Sequence, residues 1–148
     1  MHWQEELKEK IRDGALLLGV GNELKSDDGI GPLAVKRVRY ENKLNCETVP
    51  ENFVFKIKKM EPACIVIVDA VKFGGEPGEI GWFEAGDSIG PKISTHNLPL
   101  SVFRSFFEGT EVFLLGVQPE SIEFGEPSEK AREAIEEIVN AVDAAAGF

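Results

Sequence analysis

Three continuous apolar runs give the main strands that the sequence predicts. They cover about residues 15–20, 63–69 and 112–117, and each is short and bounded by glycine, proline or polar residues. Runs of this kind are typical of parallel strands buried on both faces. Weaker patterns at about 44–49 and 80–84 predict two further strands.

Between these runs, apolar residues recur at helical spacing. The clearest case is a helix at 128–146, for which Ser128 is the predicted N-cap. Its apolar stripe consists of Ala131, Ile135, Ile138, Val142 and Ala145. The same spacing predicts helices at about 1–13, 29–41, 53–60 and 97–107.

Details of two connections refine this pattern. Asn97 is the expected N-cap of the helix near 97–107, with Pro99 in its first turn. Residues 86–97 are predicted to form a loop. The connection before strand 80–84 is too short for a parallel crossover, which needs a dozen or more residues, so this strand is expected to be antiparallel or at the sheet edge.

The alternation of strands and helices predicts an α/β protein. We expect a three-layer sandwich in which a mostly parallel five-stranded sheet carries helices on both faces. A chain of 148 residues suits one domain, spanning residues 1–148, with a sizeable core. No internal repeat or low-complexity tract interrupts it.

The loop after the first strand excludes two common nucleotide motifs. Gly19 and Gly21 begin a G-x-G-x-x-G pattern, but Leu24 stands where its third glycine belongs. Leu24-Lys25-Ser26 also lacks the glycine of a phosphate-binding loop. Taken alone, this stretch favours helix capping by Ser26 or Asp27, with Asp28 complementing the helix dipole.

Composition limits the partners. The net charge of −10 argues against binding to nucleic acid or to an anionic membrane. No apolar run approaches the roughly 20 residues of a membrane span, and the charged N-terminus is unlike a secretory signal, so a cytoplasmic location is expected. Cys46 and Cys64 form no zinc-ligand cluster, and Cys64 is predicted to be a buried thiol without a disulfide.

Three residues converge on one candidate site. Asp28 follows the first strand, Asp69 ends the third, and His96 precedes the helix before the last strand. Such points can meet at one edge of a doubly wound sheet. Two carboxylates and an imidazole form an oxygen and nitrogen metal site with open positions, able to polarise a carbonyl or activate water, and copper, nickel and zinc would all suit it. His2, the other histidine, is interpreted as incidental.

A serine-hydrolase motif provides a competing hypothesis. Gly86-Asp87-Ser88-Ile89-Gly90 matches G-x-S-x-G, the nucleophile elbow of α/β-hydrolases. That elbow needs a core strand before it and a helix after it, whereas here a weak strand precedes it and Pro91 follows. A turn is therefore the preferred interpretation.

Several segments together resemble a known family. GVGNELKSDDGIGP, IVDAV, PGEI and STHNLPL resemble the hydrogenase maturation endopeptidases, which process the large subunit of NiFe hydrogenases. TVPEN, PGEI, THNLPL and GVQPE most resemble the branch that matures hydrogenase 3. The resemblance runs from about Leu16 to the last helix, and it implies the same five-stranded fold.

The resemblance implies a function and assigns the site. It implies an endopeptidase that removes a short C-terminal extension from the large-subunit precursor once nickel has been inserted. Asp28, Asp69 and His96 would contact that nickel, which is supplied by the substrate. In the isolated protein, other divalent metals would take its place. The water would be activated either by the metal or by a carboxylate acting as general base.

Other roles stay open at this point. Asp27 would support the site or cap the helix, while Asn22 and Asn97 would donate hydrogen bonds to the peptide or form turns and caps. Loops near 73–78 and 118–127 are candidates to shape a substrate groove. A non-catalytic nickel-sensing chaperone and a general metallopeptidase with its own zinc are the alternative functions.

Overall fold

The apolar runs form the strands of a central sheet in the computed structural model, which describes residues 2–84, 92–93 and 98–148. The strands in this part of the chain are β1 (Leu16–Val20), β2 (Lys43–Glu47), β3 (Cys64–Ala70), β4 (Ile80–Glu84), β5 (Lys92–Ile93), β6 (Leu98–Pro99) and β7 (Glu111–Val117). The α-helices are α1 (Trp3–Arg12), α2 (Ile30–Arg37), α3 (Val54–Met60), α4 (Leu100–Ser105) and α5 (Glu129–Ala145). Short 3-10 turns at Ser26–Gly29 and Pro50–Phe53 precede α2 and α3.

The main sheet has the strand order β2-β1-β3-β7-β4. The three strongly apolar strands, β1, β3 and β7, lie in its middle and run parallel. β4 pairs with β7 in the antiparallel direction and forms an edge, as the short connection before it predicts. The predicted five-stranded, mostly parallel sheet is confirmed.

Alternating side chains of the central strands build two separate cores. Leu17, Val66 and Val68 face α1, α2 and α5, together with the apolar stripe of α5. Leu16, Ile65 and Ile67 point the other way, into a core that includes Ile57 of α3 and Phe103 of α4. Each fully buried side chain of this size contributes roughly 1.5–3 kcal/mol to the free energy of unfolding, so the apolar residues on both faces need a covering layer. Helices cover each face, which confirms the predicted three-layer sandwich.

α2 is shorter than the predicted helix at 29–41. The chain turns extended at Val38, and the backbone N–H groups of Arg39 and Tyr40 donate to Asp143 Oδ1 on α5 at 2.9 and 3.3 Å. The Tyr40 hydroxyl donates to the Ala15 carbonyl oxygen at 2.6 Å. These tertiary bonds hold residues 38–40 outside the helix, so the predicted end at 41 is wrong.

The region around α4 also differs from the prediction. β5 and β6 pair in the antiparallel direction, so Lys92 and Ile93 are strand rather than loop. Pro99 is extended and precedes α4 instead of lying in its first turn. Asn97, the predicted N-cap, lies outside the described residues.

None of the helices in the described ranges combines the length and the hydrophobicity needed to cross a bilayer.

Close packing of α2 on the strand ends gives a stability test. A Cβ added at Gly31 would lie 2.2 Å from the Val68 carbonyl oxygen and 2.3 Å from that of Val20. Gly31→Ala should therefore lower the free energy of unfolding by about 3 kcal/mol, although alanine normally favours a helix. Urea denaturation followed by circular dichroism would measure this change.

Gly109→Ala is the matched control. Gly109 has φ +83°, but no atom lies within 4 Å of the added Cβ, so only backbone strain of about 1 kcal/mol is expected. Equal losses in the two variants would contradict the packing argument.

Candidate functional site

The candidate site lies at the edge of the sheet where β1 and β3 end. These strands are neighbours and parallel, with Gly19 opposite Val68, so their carboxyl ends meet at one edge. The 3-10 turn Ser26–Gly29 contacts β3 there. Open α/β sheets bind ligands outside this edge.

Asp28 is held within the turn that follows β1. It is only 7% exposed, and its Oδ2 accepts a hydrogen bond from the backbone N–H of Asn22 at 3.1 Å. The side-chain oxygen of Asn22 accepts from the N–H of Leu24 at 2.9 Å. Asn22 therefore has the turn-forming role that the sequence left open, and it closes the loop around Asp28.

Asp69 lies within β3 near its carboxyl end, opposite Gly116 of β7, and is 0% exposed. Complete burial excludes solvation of this carboxylate by bulk water. A carboxylate removed from water needs hydrogen-bond donors or a cation to offset its lost hydration. Asp28 and Asp69 thus reach the same edge from adjacent strands.

The third predicted ligand, His96, lies outside the described residues. Within the part of the chain that the structure describes, no three His, Cys, Asp or Glu side chains are grouped to hold a metal ion. Ser88 and its G-x-S-x-G motif also lie outside that part. The strand before the motif, β4, is a partly exposed edge strand rather than a core strand.

Asp27 does not cap α2, because neither the 3-10 turn nor α2 has a side-chain cap. The capping interpretation of Ser26 or Asp27 is therefore wrong. Asp27 is 1% exposed, and its carboxylate points toward the segment before α5. Its Oδ1 accepts from the Ser128 N–H at 2.7 Å, and its Oδ2 accepts from the Glu120 N–H at 2.7 Å and the Ser128 hydroxyl at 2.8 Å.

These bonds join the turn at Asp28 to the start of α5. Ser128 caps α5 as predicted, its Oγ accepting from the Ala131 N–H at 3.2 Å, so one hydroxyl serves both the helix and Asp27. Ser26, which has a positive φ of 50°, donates from its N–H to Gly125 and from its hydroxyl to Glu126, both at 2.9 Å. Sequence reasoning missed this junction, since only distant residues complete it.

Gln118 joins the two loops that the sequence offers as candidates to shape a substrate groove. Its side-chain oxygen accepts from the N–H groups of Phe73 and Gly75 at 2.8 and 3.2 Å. Its backbone carbonyl oxygen accepts from the Gly78 N–H at 2.8 Å. The loops near 73–78 and 118–127 are therefore parts of one hydrogen-bonded assembly.

The thiols are unsuited to nucleophilic catalysis. Cys46 and Cys64 are both buried and free, which confirms the prediction for Cys64. Burial raises the pKa of the Cys46 thiol to about 12 and also raises the pKa of Cys64. Because the thiolate is the reactive form, neither residue is a candidate nucleophile.

A cleft of about 580 Å³ lies at the opposite edge, near the C-terminal ends of α3 and α4. Its lining includes Glu61, Pro62 and Thr110, which precede β3 and β7 rather than follow them. The amino edge of a parallel sheet is not where such folds bind ligands. The candidate site is therefore assigned to the carboxyl edge, where Asp28 and Asp69 are buried, and not to this cleft.

Comparison with known proteins defines the class. The family described as HycI, hydrogenase maturation protease, matches residues 36–145. The hydrogenase 3 maturation protease of Escherichia coli K12 is 33% identical over 132 residues, which cover 83% of this chain and 85% of that protein. The chain belongs to the hydrogenase maturation protease family, a class of hydrolases.

Solved structures agree with this assignment. The crystal structure of the NiFe hydrogenase maturation protease HycI from Thermococcus kodakarensis KOD1 superposes with a TM-score of 0.81 at 33% identity, covering 95% of this chain and 97% of the other. The solution structure of the endopeptidase HycI from Escherichia coli gives 0.78 at 29% identity, covering 90% and 91%. The α/β fold is thus shared with these proteases.

The Asp27 junction gives a second stability test. Asp27→Asn replaces one acceptor oxygen with an NH₂ group that faces N–H or O–H donors. The free energy of unfolding should fall by about 2–4 kcal/mol, because a buried donor loses its acceptor. Urea denaturation would measure the loss, and limited proteolysis should show faster cleavage within residues 119–127.

Glu123→Gln, a change at an exposed position of the same segment, should leave both measurements unchanged. If Asp27→Asn matched this control, the junction would not determine the stability of the edge.

Proposed function

We propose that this protein is an endopeptidase that removes a short C-terminal extension from the nickel-loaded large-subunit precursor of a NiFe hydrogenase. Asp28, Asp69 and His96 contact the nickel that the substrate brings. The observation that carries the proposal is the burial of Asp28 and Asp69 at the adjoining ends of β1 and β3, in a chain of this family.

The chemistry of these residues suits the substrate. Nickel and similar divalent ions bind carboxylate oxygens and imidazole nitrogens as ligands. A buried pair of acidic side chains also favours a cation over a neutral or anionic group. The enzyme would thereby distinguish a precursor that carries nickel from one that does not.

Hydrolysis adds one water across the scissile peptide bond. The water oxygen bonds to the carbonyl carbon, the C–N bond breaks, and the leaving amine receives a proton. Either the substrate's nickel lowers the pKa of the water or a carboxylate accepts its proton. Asn22 shapes the loop around Asp28 through its side-chain oxygen and its backbone N–H.

His96→Ala, Asp28→Asn and Asp69→Asn should each abolish cleavage of the nickel-loaded precursor, because each change removes one proposed nickel contact. Intact mass spectrometry over time would follow loss of the C-terminal peptide. Asp13→Asn, at an exposed carboxylate just after α1, is the control and should process normally. Normal cleavage by His96→Ala would contradict the proposed site.

The same assay separates the alternative functions. Cleavage of only the nickel-loaded precursor supports the proposal. Binding without loss of mass would favour a nickel-sensing chaperone. Cleavage of generic peptides, inhibited by chelators without any nickel-loaded partner, would favour a general metallopeptidase.

Ser88→Ala should process the precursor at the wild-type rate, because the proposed reaction uses no serine nucleophile. The rate constant for loss of the C-terminal peptide is the measurement. An inactive but folded Ser88→Ala protein would restore the serine-hydrolase hypothesis.

A further inference from the structure

Two large apolar side chains lie exposed beside the turn that holds Asp28. Leu24 is 69% and Phe124 is 78% exposed. Their segments run side by side through a parallel bridge between Lys25 and Gly125, and the Gly125 N–H donates to the Leu24 carbonyl oxygen at 3.0 Å. Leu24 and Phe124 are the residues directly before the two bridge partners, so their backbones lie side by side.

Ile122 adds a third exposed apolar side chain on the same loop. Leu24, Ile122 and Phe124 are called the apolar rim below. Single exposed apolar residues are ordinary, but this set is built on two segments that the buried Asp27 joins. Its position relative to Asp28 is therefore fixed by the fold.

The surroundings of the apolar rim are acidic. Residues 118–128 contain Glu120, Glu123 and Glu126 and no Lys or Arg. Within the described residues, none of these three carboxylates forms an ion pair. Lys25 is the only cation in residues 20–28, and its ammonium lies 5.6 Å from the centre of the Phe124 ring.

We propose that the apolar rim docks a segment of the precursor in which an apolar side chain is flanked by Lys or Arg. This inference rests on the proposed function and names the surface that recognises the substrate. The apolar side chain would pack on Leu24 and Phe124, while the basic residues would face the glutamates of the loop.

Charge decides between this occupant and a second copy of the chain. A symmetric dimer through the apolar rim would place the same glutamates of both copies opposite one another. With a net charge of −10 on each copy, that arrangement is repulsive. A basic partner avoids this repulsion, and its Lys or Arg side chains are attracted to the glutamates of the loop.

The test compares Leu24→Ser/Phe124→Ser with wild type on the nickel-loaded precursor. We expect kcat/KM to fall about tenfold or more, through KM, with kcat nearly unchanged. Binding of the precursor to the same variants made in an Asp28→Asn background, measured by biolayer interferometry, should weaken by a similar factor. This second readout needs no cleavage.

Phe148→Ser is the matched control. Phe148 is also exposed, but it follows α5, whose 17 residues place its far end roughly 25 Å from Ser128. Its kcat/KM should equal that of wild type. Glu120→Gln/Glu123→Gln should reduce the dependence of kcat/KM on salt, since it removes two charges facing the partner.

The outcomes separate the two proposals. If wild type cleaves the precursor and Leu24→Ser/Phe124→Ser does so equally well, the docking surface is wrong and the proposed function stands. If wild type binds but does not cleave, while the double change weakens binding, the surface stands and the protease does not. A wild-type dimer that Leu24→Ser/Phe124→Ser dissociates would overturn the surface as a substrate site.

Discussion

The buried carboxylate of Asp27 is the interaction on which the candidate site depends. It accepts hydrogen bonds from Glu120 and Ser128, and so it joins the turn after β1 to the start of α5. A carboxylate removed from water is stable only when such donors surround it, and the buried donors in turn need an acceptor. Asp28 is the next residue in the chain, so the position of one proposed nickel contact follows from how its neighbour is held.

Much of the fold could be predicted from local sequence because burial leaves a local signature. The central strands are apolar at every position since both faces of the sheet are covered, and that signature located β1, β3 and β7. The short connection before β4 predicted a strand that is antiparallel or at the sheet edge, and β4 is both. The end of α2 could not be predicted, because the bonds to Asp143 that hold residues 39 and 40 in extended form come from a distant helix.

The candidate site also has one part that local sequence predicts and one part that it does not. Strand ends predict where Asp28 and Asp69 lie, since the carboxyl edge of a parallel sheet is where such folds place their ligands. Asp27 shows the limit of local reasoning. Next to a glycine-rich helix start, an Asp is usually a cap, and only the folded chain reveals that its partners are 93 and 101 residues away. Pro99 is similar: proline suits a first helical turn, yet pairing with β5 keeps it extended.

The separation of Asp27 from its partners also has a consequence for the order of folding. β1, α2 and β3 all lie within the first half of the sequence, and β1 and β3 pair directly. The edge that carries Asp28 is complete only when Glu120 and Ser128 have joined, and closing so long a loop is entropically slow. A nascent or truncated chain that ends before this point would lack both this edge and α5, which covers one face of the sheet. The edge that carries Asp28 therefore depends on residues that follow Asp27 by 93 and 101 positions.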